Sequence, residues 1–211
     1  MRLLLIDTAG PVVGVAAWCG EEAVGAASIR LAAGADGWLG PILAQFLERL
    51  GGLDRIGVAI GPGAFTGLRV GVASALGLSM STGAPISAVS SLALRACLAP
   101  DQPSVLSLLD ARKGRVYAGR FDTRGPTPIA LEPERDVSPE IAVAVAAGVA
   151  VGEGAEVYKG LVLSAGHELF PGSSRCPAPF GQKLVIATPP MPANRVGPRY
   201  LRDPDVMSQK V

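Results

Sequence analysis

The sequence predicts an α/β protein made of two related lobes, each with a mixed β-sheet flanked by helices. Short apolar runs typical of buried strands alternate with longer segments in which apolar residues recur every three or four positions. The order of strands followed by helices occurs twice along the 211 residues. A stretch rich in chain breakers, residues 99–103, lies between the two copies and indicates the boundary between the lobes.

The first lobe, residues 1–101, begins with three predicted strands and an amphipathic helix. The first apolar run ends at Asp7 and Thr8, and turns containing glycine separate it from the next two strands. Large apolar residues then fall three and four positions apart until Gly51 and Gly52, which predicts a helix ended by glycine. The predicted strands cover residues 2–6, 12–19 and 23–31, and the predicted helix covers residues 38–50.

A glycine-rich loop joins the next predicted strand, residues 55–60, to a long helix at residues 65–81. Such a loop lets backbone N–H groups approach an anion or another chain closely. A short strand at residues 86–89 follows, and Ser90 is expected to cap a helix that runs to residue 98. The loop and the start of the long helix read Gly61, Pro62, Gly63, Ala64, Phe65, Thr66, Gly67, Leu68 and Arg69.

The second lobe, residues 102–211, repeats this order in a smaller, degraded form. A strand at residues 104–109 ends at Asp110 much as the first strand ended at Asp7. The other predicted elements are a hairpin strand at residues 116–121, a helix at 139–147 and a strand at 149–152. After residue 160 proline and glycine are frequent, and Tyr200 and Leu201 are expected to dock the tail onto the body. By analogy, this repetition fits two lobes of the ribonuclease-H-like type, as in sugar kinases, actin and Hsp70.

Composition excludes several classes of function. A net charge of +1 gives the whole molecule no attraction to nucleic acid, and three widely spaced cysteines indicate reduced thiols in a cytosol. The longest apolar run, residues 141–151, is shorter than the roughly 20 residues that cross a bilayer. We therefore expect a soluble cytoplasmic protein that makes no contact with a membrane.

The common nucleotide and hydrolase motifs are not present in the sequence. Gly61 and Gly67 are one residue too far apart for a phosphate-binding Walker loop, and Leu68 stands where its lysine belongs. Thr66 replaces the third glycine of a dinucleotide-binding loop. His167 is the single histidine, so neither a zinc hydrolase site nor a Ser–His–Asp triad is expected, and His167 is interpreted as a surface or loop residue.

Asp7, Thr8 and Asp110 admit two interpretations. They occupy the strand ends where actin-like ATPases hold phosphate and a metal ion, so they are candidates for vestigial or working phosphate-loop positions. Alternatively, Asp7 and Thr8 satisfy backbone groups where the strand turns. The residues around Asp110 lack the usual glycine-rich run.

The helix after the loop carries small residues at Gly67, Gly71 and Ala75, four positions apart. This stripe forms either a groove for a helix of a partner or a surface that packs on the protein's own sheet. Arg69 is either an anion clamp or a solvated side chain. The candidate partner-facing residues of this helix and the first one are Trp38, Leu39, Ile42, Phe46, Gly67, Gly71, Ser74, Ala75 and Leu78.

Four segments of the chain resemble the TsaB family, also called YeaZ. The run Gly-Pro-Gly-Ala-Phe-Thr-Gly-Leu-Arg at residues 61–69 looks like the family's signature loop. Residues 5–8, 110–114 and 198–202 fit the family's opening strand, middle and end, so the resemblance covers nearly the whole chain. It implies the actin-like ATPase (ribonuclease-H-like) fold and a paralogous relation to TsaD.

The resemblance implies a non-catalytic scaffold that is a partner subunit of TsaD in tRNA N6-threonylcarbamoyladenosine synthesis. The two helices of the first lobe would form the heterodimer with TsaD, or a homodimer when the chain is alone. TsaE and TsaC would be further partners, and tRNA would be contacted only through the complex. The resemblance implies no catalytic residues, no metal and no required cofactor, and it leaves open whether ATP or ADP is held at the complex interface.

Two other functions remain as alternatives at this stage. The first is a stand-alone actin-like ATPase or sugar-kinase-like enzyme that would use Asp7, Thr8 and Asp110. The second is a metallopeptidase of the glycoprotease type, which is an older label of the family. The shortage of metal-ligating residues in the sequence argues against this second function.

Overall fold

The computed structural model describes residues 1–30 and 36–202, which form two mixed β-sheets with helices packed against them. The end of the predicted third strand at Leu31 lies outside the described residues. The first sheet has the strand order β3-β2-β1-β4-β5. Its strands are β1 (Arg2–Asp7), β2 (Val12–Cys19), β3 (Glu22–Arg30), β4 (Arg55–Gly61) and β5 (Ile86–Ser90). Its helices are α1 (Asp36–Leu50), α2 (Phe65–Thr82) and α3 (Ser91–Ala96).

The second sheet has the order β11-β10-β6-β7-β8, with β9 also paired to β7. Its strands are β6 (Val105–Arg112), β7 (Arg115–Asp122), β8 (Ile129–Ala130), β9 (Arg135–Val137), β10 (Val149–Val151) and β11 (Glu168–Leu169). The remaining helices are α4 (Pro139–Val143), α5 (Glu153–Val157), α6 (Lys159–Ser164) and α7 (Gln182–Ala187).

The two sheets share one topology. In each, the first strand in sequence is central, pairs antiparallel with the second and parallel with a later strand. The parallel side is then extended by one more parallel strand, β5 in the first sheet and β11 in the second. This repeated order is the ribonuclease-H-like arrangement of the actin-like ATPase fold, which confirms the predicted fold class.

Most predicted elements of the first lobe agree with the structure to within a few residues, and Ser90 caps α3 by accepting bonds from two backbone amides. The helix predicted to reach residue 98 ends at Ala96, because the next residues form tighter bonds three positions back, such as Leu98 N–H to Arg95 O. The helix predicted over residues 139–147 ends at Val143. The chain needs the next residues to bring Val149, the first residue of β10, beside Ser104, just before the start of β6.

The chain after residue 160 is more regular than the sequence indicates. It forms most of α6 and all of β11, α7 and two single-turn helices, and sequence analysis also missed α5 and the short strands β8 and β9. Cys176, Ala178 and Val185 pack in a core cluster with β1 and β2 of the first sheet. The division into residues 1–101 and 102–211 therefore stays an interpretation, since part of the second segment returns to the first sheet.

Helices α1 and α2 cover one face of the first sheet, and α3 lies between the two sheets. Leu43 and Leu50 of α1 and Val72 of α2 share one core cluster with the strands. Leu94 of α3 packs with the first sheet, whereas Leu92 packs with strands of the second. Among residues 1–30 and 36–202, no helix combines the length and apolar character needed to cross a membrane.

The ion pair between Arg2 and Asp54 gives the fold a defined sensitivity to acid. Arg2 Nη2 lies 2.8 Å from Asp54 Oδ1. The hydrogen bonds that the side chain and backbone N–H of Arg2 donate to Asp54 lower the pKa of this carboxyl group to about 2. A lowered folded-state pKa contributes stability above the ordinary value near 3.8 and loses it as the pH falls toward 2. We expect wild type to lose more stability than Asp54→Asn between pH 4 and pH 2, as measured by urea unfolding. Equal losses in the two proteins would contradict this assignment.

Candidate functional site

The signature loop, residues 61–69, packs on the turn that follows β1. The backbone N–H of Ala64 donates a 2.7 Å hydrogen bond to the carbonyl oxygen of Ala9. A Cβ atom at Gly63 would overlap Ala9, so glycine is what permits this approach. The close approach expected of the loop is therefore made, at these positions, to the protein's own backbone.

Thr8 connects the end of β1 to α2. Its hydroxyl donates a 2.7 Å hydrogen bond to the carbonyl oxygen of Gly67, and a Cβ atom at Gly71 would overlap the same hydroxyl oxygen. Gly71 and Ala75 lie on the buried face of α2. We therefore correct the expectation that these two residues face a partner: they pack on their own lobe, which is the alternative that sequence analysis left open.

Two of the candidate partner-facing residues on α1 also belong to the interior. Leu39 and Phe46 are buried in the core cluster that α1 shares with the sheet, because they lie on the helix face that carries its large apolar residues. They too are withdrawn from the candidate interface. Gly67 is half-buried, and a Cβ atom there would overlap the carbonyl oxygen of Thr8, so it packs on its own lobe as well. The candidates that keep an exposed portion are Trp38, Ile42, Ser74 and Leu78.

The buried polar centre of the molecule is an ion triad formed by Asp7, Arg95 and Glu153. Arg95 and Asp7 are 0% exposed and Glu153 is 4% exposed. Arg95 Nε and Nη2 donate to the two oxygens of Glu153 over 2.8 and 3.0 Å, and Nη1 lies 3.3 Å from Asp7 Oδ2. The triad joins the end of β1, helix α3 and the start of α5, so it spans both lobes.

Burial acts in opposite directions on the pKa values of Asp7 and Arg95. Burial raises the pKa of Asp7, while Arg95 opposes this shift and Glu153 acts with it. Burial alone would lower the pKa of Arg95, but the carboxylates of Glu153 and Asp7 raise it, so the guanidinium stays charged. Asp7 is therefore held by a cation of the chain itself and by the backbone N–H of Ala9, 3.0 Å away.

The structure does not join Asp110 to Asp7. Asp110 is exposed, and its Oδ1 accepts a 2.9 Å hydrogen bond from the backbone N–H of Arg112 within its own hairpin. Asp7 instead pairs with Arg95. The two strand ends that sequence analysis considered as one phosphate site thus have separate partners within the chain.

The C-terminal tail crosses the signature loop and reaches the second lobe. The rings of Tyr200 and Phe65 stack with their centroids 4.1 Å apart, and the Arg69 guanidinium lies 4.1 Å over the Phe65 ring. Arg69 Nε also donates to the Tyr200 hydroxyl over 3.3 Å, so the expected docking of Tyr200 is confirmed. At the other end of this segment, Arg202 Nη2 donates to the carbonyl oxygen of Ala111 over 2.9 Å.

Sequence analysis missed Arg95 and Glu153 altogether. Each stands in an unremarkable short helix, and the two are 58 positions apart, so no local pattern could pair them. His167 was interpreted as a surface or loop residue, but it is buried, with Nε2 3.0 Å from the carbonyl oxygen of Val143. Within residues 1–30 and 36–202, no three of the His, Cys, Asp and Glu side chains are grouped closely enough to hold a metal ion.

Comparisons with known proteins find a TsaD family model and relatives named TsaB or YeaZ. The family model described as "TsaD: tRNA N6-adenosine threonylcarbamoyltransferase" matches residues 37–169. The TsaB protein of Bacillus subtilis is 40% identical over 86 residues, 40% of this chain and 38% of that protein. The TsaB protein of Escherichia coli is 28% identical over 96% of this chain and 95% of its own length. The structure of YeaZ from Pseudomonas aeruginosa superposes with a TM-score of 0.80 at 26% identity, covering 95% of this chain and 99% of that one.

Two glycines of α2 provide a matched test of the contact between Thr8 and the helix. A Cβ atom at Gly71 would overlap Thr8, whereas one at Gly77 would meet no atom within 4 Å. Both substitutions to alanine gain the same helix propensity, about 1 kcal/mol. We expect Gly71→Ala to be less stable than Gly77→Ala by about 1–3 kcal/mol in urea unfolding, the usual cost of overpacking. Equal stability of the two variants would show that the helix and the strand end are not in tight contact.

Proposed function

Because this chain belongs to the TsaB (YeaZ) family, we propose that it is a non-catalytic partner subunit of TsaD in tRNA N6-threonylcarbamoyladenosine synthesis. The names of its relatives support the place in tRNA modification. The partnership with TsaD, and the lack of a reaction of its own, are proposed from the contacts of Asp7, α1 and α2. In this proposal TsaE and TsaC join the same complex, the chain pairs with itself when TsaD is absent, and tRNA is contacted only through the complex.

The observation that carries the non-catalytic part is the occupation of Asp7 by Arg95. An ATPase of this fold would need the carboxylate at the end of β1 for a metal ion and the neighbouring hydroxyl of Thr8 for phosphate. Here Asp7 Oδ2 faces a guanidinium 3.3 Å away, and Thr8 is bonded to the carbonyl oxygen of Gly67. A reaction at this position would require breaking a fully buried ion pair first, which is strongly unfavourable. The site therefore favours a scaffold over the stand-alone ATPase.

The outer face of α1 and α2 is the surface we assign to the partner. Ala73 and Gly77 are exposed on α2, and Met80 is 85% exposed at the end of the same stripe. Because Ala73 and Gly77 are small, a helix of TsaD could approach α2 closely, and the flexible side chain of Met80 would fill irregular gaps at the contact. Trp38 and Ile42 of α1 are partly exposed and would contribute larger apolar contacts.

The interface is tested by placing an arginine in this face without disturbing the fold. Gly77→Arg adds a large charged side chain where a Cβ atom has open space, and Gly160→Arg does the same on α6 of the second lobe. We expect Gly77→Arg to weaken binding to the TsaD of the same organism at least 100-fold, since an interface core tolerates an unpaired charge poorly. Gly160→Arg should bind like wild type. Surface plasmon resonance with purified TsaD and each purified variant measures both affinities.

Three outcomes would overturn parts of the proposal. If wild type binds no TsaD, the partner role is wrong. If Gly77→Arg and Gly160→Arg bind equally well, the partner uses another surface. If the isolated chain binds and hydrolyses magnesium–ATP, and Asp7→Asn abolishes the hydrolysis while the protein stays folded, the stand-alone ATPase replaces the scaffold.

A further inference from the structure

We propose that the two lobes are locked into one rigid body, by the ion triad of Asp7, Arg95 and Glu153 on the inside and by the tail segment 199–202 on the outside. Two-lobed proteins commonly open and close around a hinge between their lobes. In this chain, both ties oppose a motion that separates the lobes, and each is needed to prevent it. The lobes would then not separate to admit a ligand between them.

The inner tie is strong because it is bidentate, dry and enclosed. Arg95 holds both oxygens of Glu153 in the fork geometry that suits a carboxylate, and the same guanidinium reaches Asp7 of the other lobe. Arg95 is further fixed by a 3.0 Å hydrogen bond from Nη1 to the carbonyl oxygen of Ser91. Separating the lobes would break both charge-assisted hydrogen bonds between Arg95 and Glu153, the strong class of hydrogen bond.

The backbone around the triad leaves little space for it to rearrange. A Cβ atom at Gly10 would overlap the Glu153 carboxylate and the Arg95 guanidinium. A Cβ atom at Gly152 would overlap the carbonyl oxygen of Leu108 in β6, and the φ of Gly152 is +94°, a region that favours glycine. Glycine at position 10 lets the first lobe approach Glu153, and glycine at position 152 lets the start of α5 approach β6 within the second lobe.

The outer tie runs along the tail. The backbone N–H of Arg199 donates a 2.6 Å hydrogen bond to the carbonyl oxygen of Ile60 in the first sheet, while its guanidinium pairs with Glu134 in the second lobe. Tyr200 stacks on Phe65 of the first lobe. Two residues later, Arg202 bonds the carbonyl oxygen of Ala111 at the end of β6. The segment therefore alternates between the lobes within four residues.

The distance between the lobes can be measured by double electron–electron resonance with spin labels on Cys19 and on a cysteine introduced as Gly160→Cys. Cys19 is exposed in the first lobe, and position 160 has open space in the second. Burial raises the pKa of Cys97 and Cys176 to about 12, so these thiols should not react at neutral pH. As a check, a variant that carries Cys19→Ser and no introduced cysteine should take up no spin label, because only Cys97 and Cys176 remain.

We expect one narrow distance distribution in the otherwise unchanged protein and a broadened or shifted one in Arg95→Gln. Glu153→Gln is the second variant and replaces Arg95→Gln if the latter fails to fold, because it keeps the charge of Arg95 paired with Asp7. Arg124→Gln removes an ion pair with Asp122 inside the second lobe and should leave the distribution narrow. A broad distribution in the unchanged protein would overturn the lock. A narrow one in a folded Glu153→Gln or Arg95→Gln would show that the triad does not provide it.

Discussion

The buried ion triad of Asp7, Arg95 and Glu153 is the interaction on which the arrangement of the two lobes depends. One guanidinium serves two carboxylates, one at the end of β1 in the first sheet and one in α5 beside the second sheet, and all three side chains are almost completely removed from water. Buried ion pairs add little net stability compared with apolar packing, but they penalise every arrangement that leaves one charge alone. The triad therefore specifies how the lobes meet more than it strengthens either lobe.

The same end of β1 also fixes the signature loop and α2. Asp7 turns to the triad, Thr8 bonds the first turn of α2, and Ala9 accepts from the loop. Three consecutive residues thus satisfy three different neighbours. Gly63 and Gly71 make this possible, because any side chain there would overlap Ala9 or Thr8. At these positions, a glycine-rich loop that could let backbone N–H groups approach an anion or another chain packs on the protein's own backbone instead.

This inward use of the polar residues suits a subunit that acts by binding. The end of β1, where an ATPase would place its metal and phosphate, is already occupied by groups of the same chain. The outer face of α1 and α2 remains, with small and apolar side chains at Ala73, Gly77 and Met80. A rigid pair of lobes would present that face in a fixed orientation, which lowers the conformational cost of forming a specific complex.

Local patterns in the sequence determined the fold class and the elements of the first lobe. Alternating apolar runs, helical spacing and glycine-rich turns act over a few neighbouring residues, so the sequence could predict α1, α2 and most strands, and the loop at residues 61–69 could be matched to a family. Which face of α2 is buried was decided by the tertiary structure, because the stripe of Gly67, Gly71 and Ala75 has the same spacing whether it meets a partner or its own sheet. The ion triad was likewise decided there. Its members lie in β1, α3 and α5, and a charge pair between distant segments has no periodicity that a sequence could reveal, since only the folded chain brings those segments together.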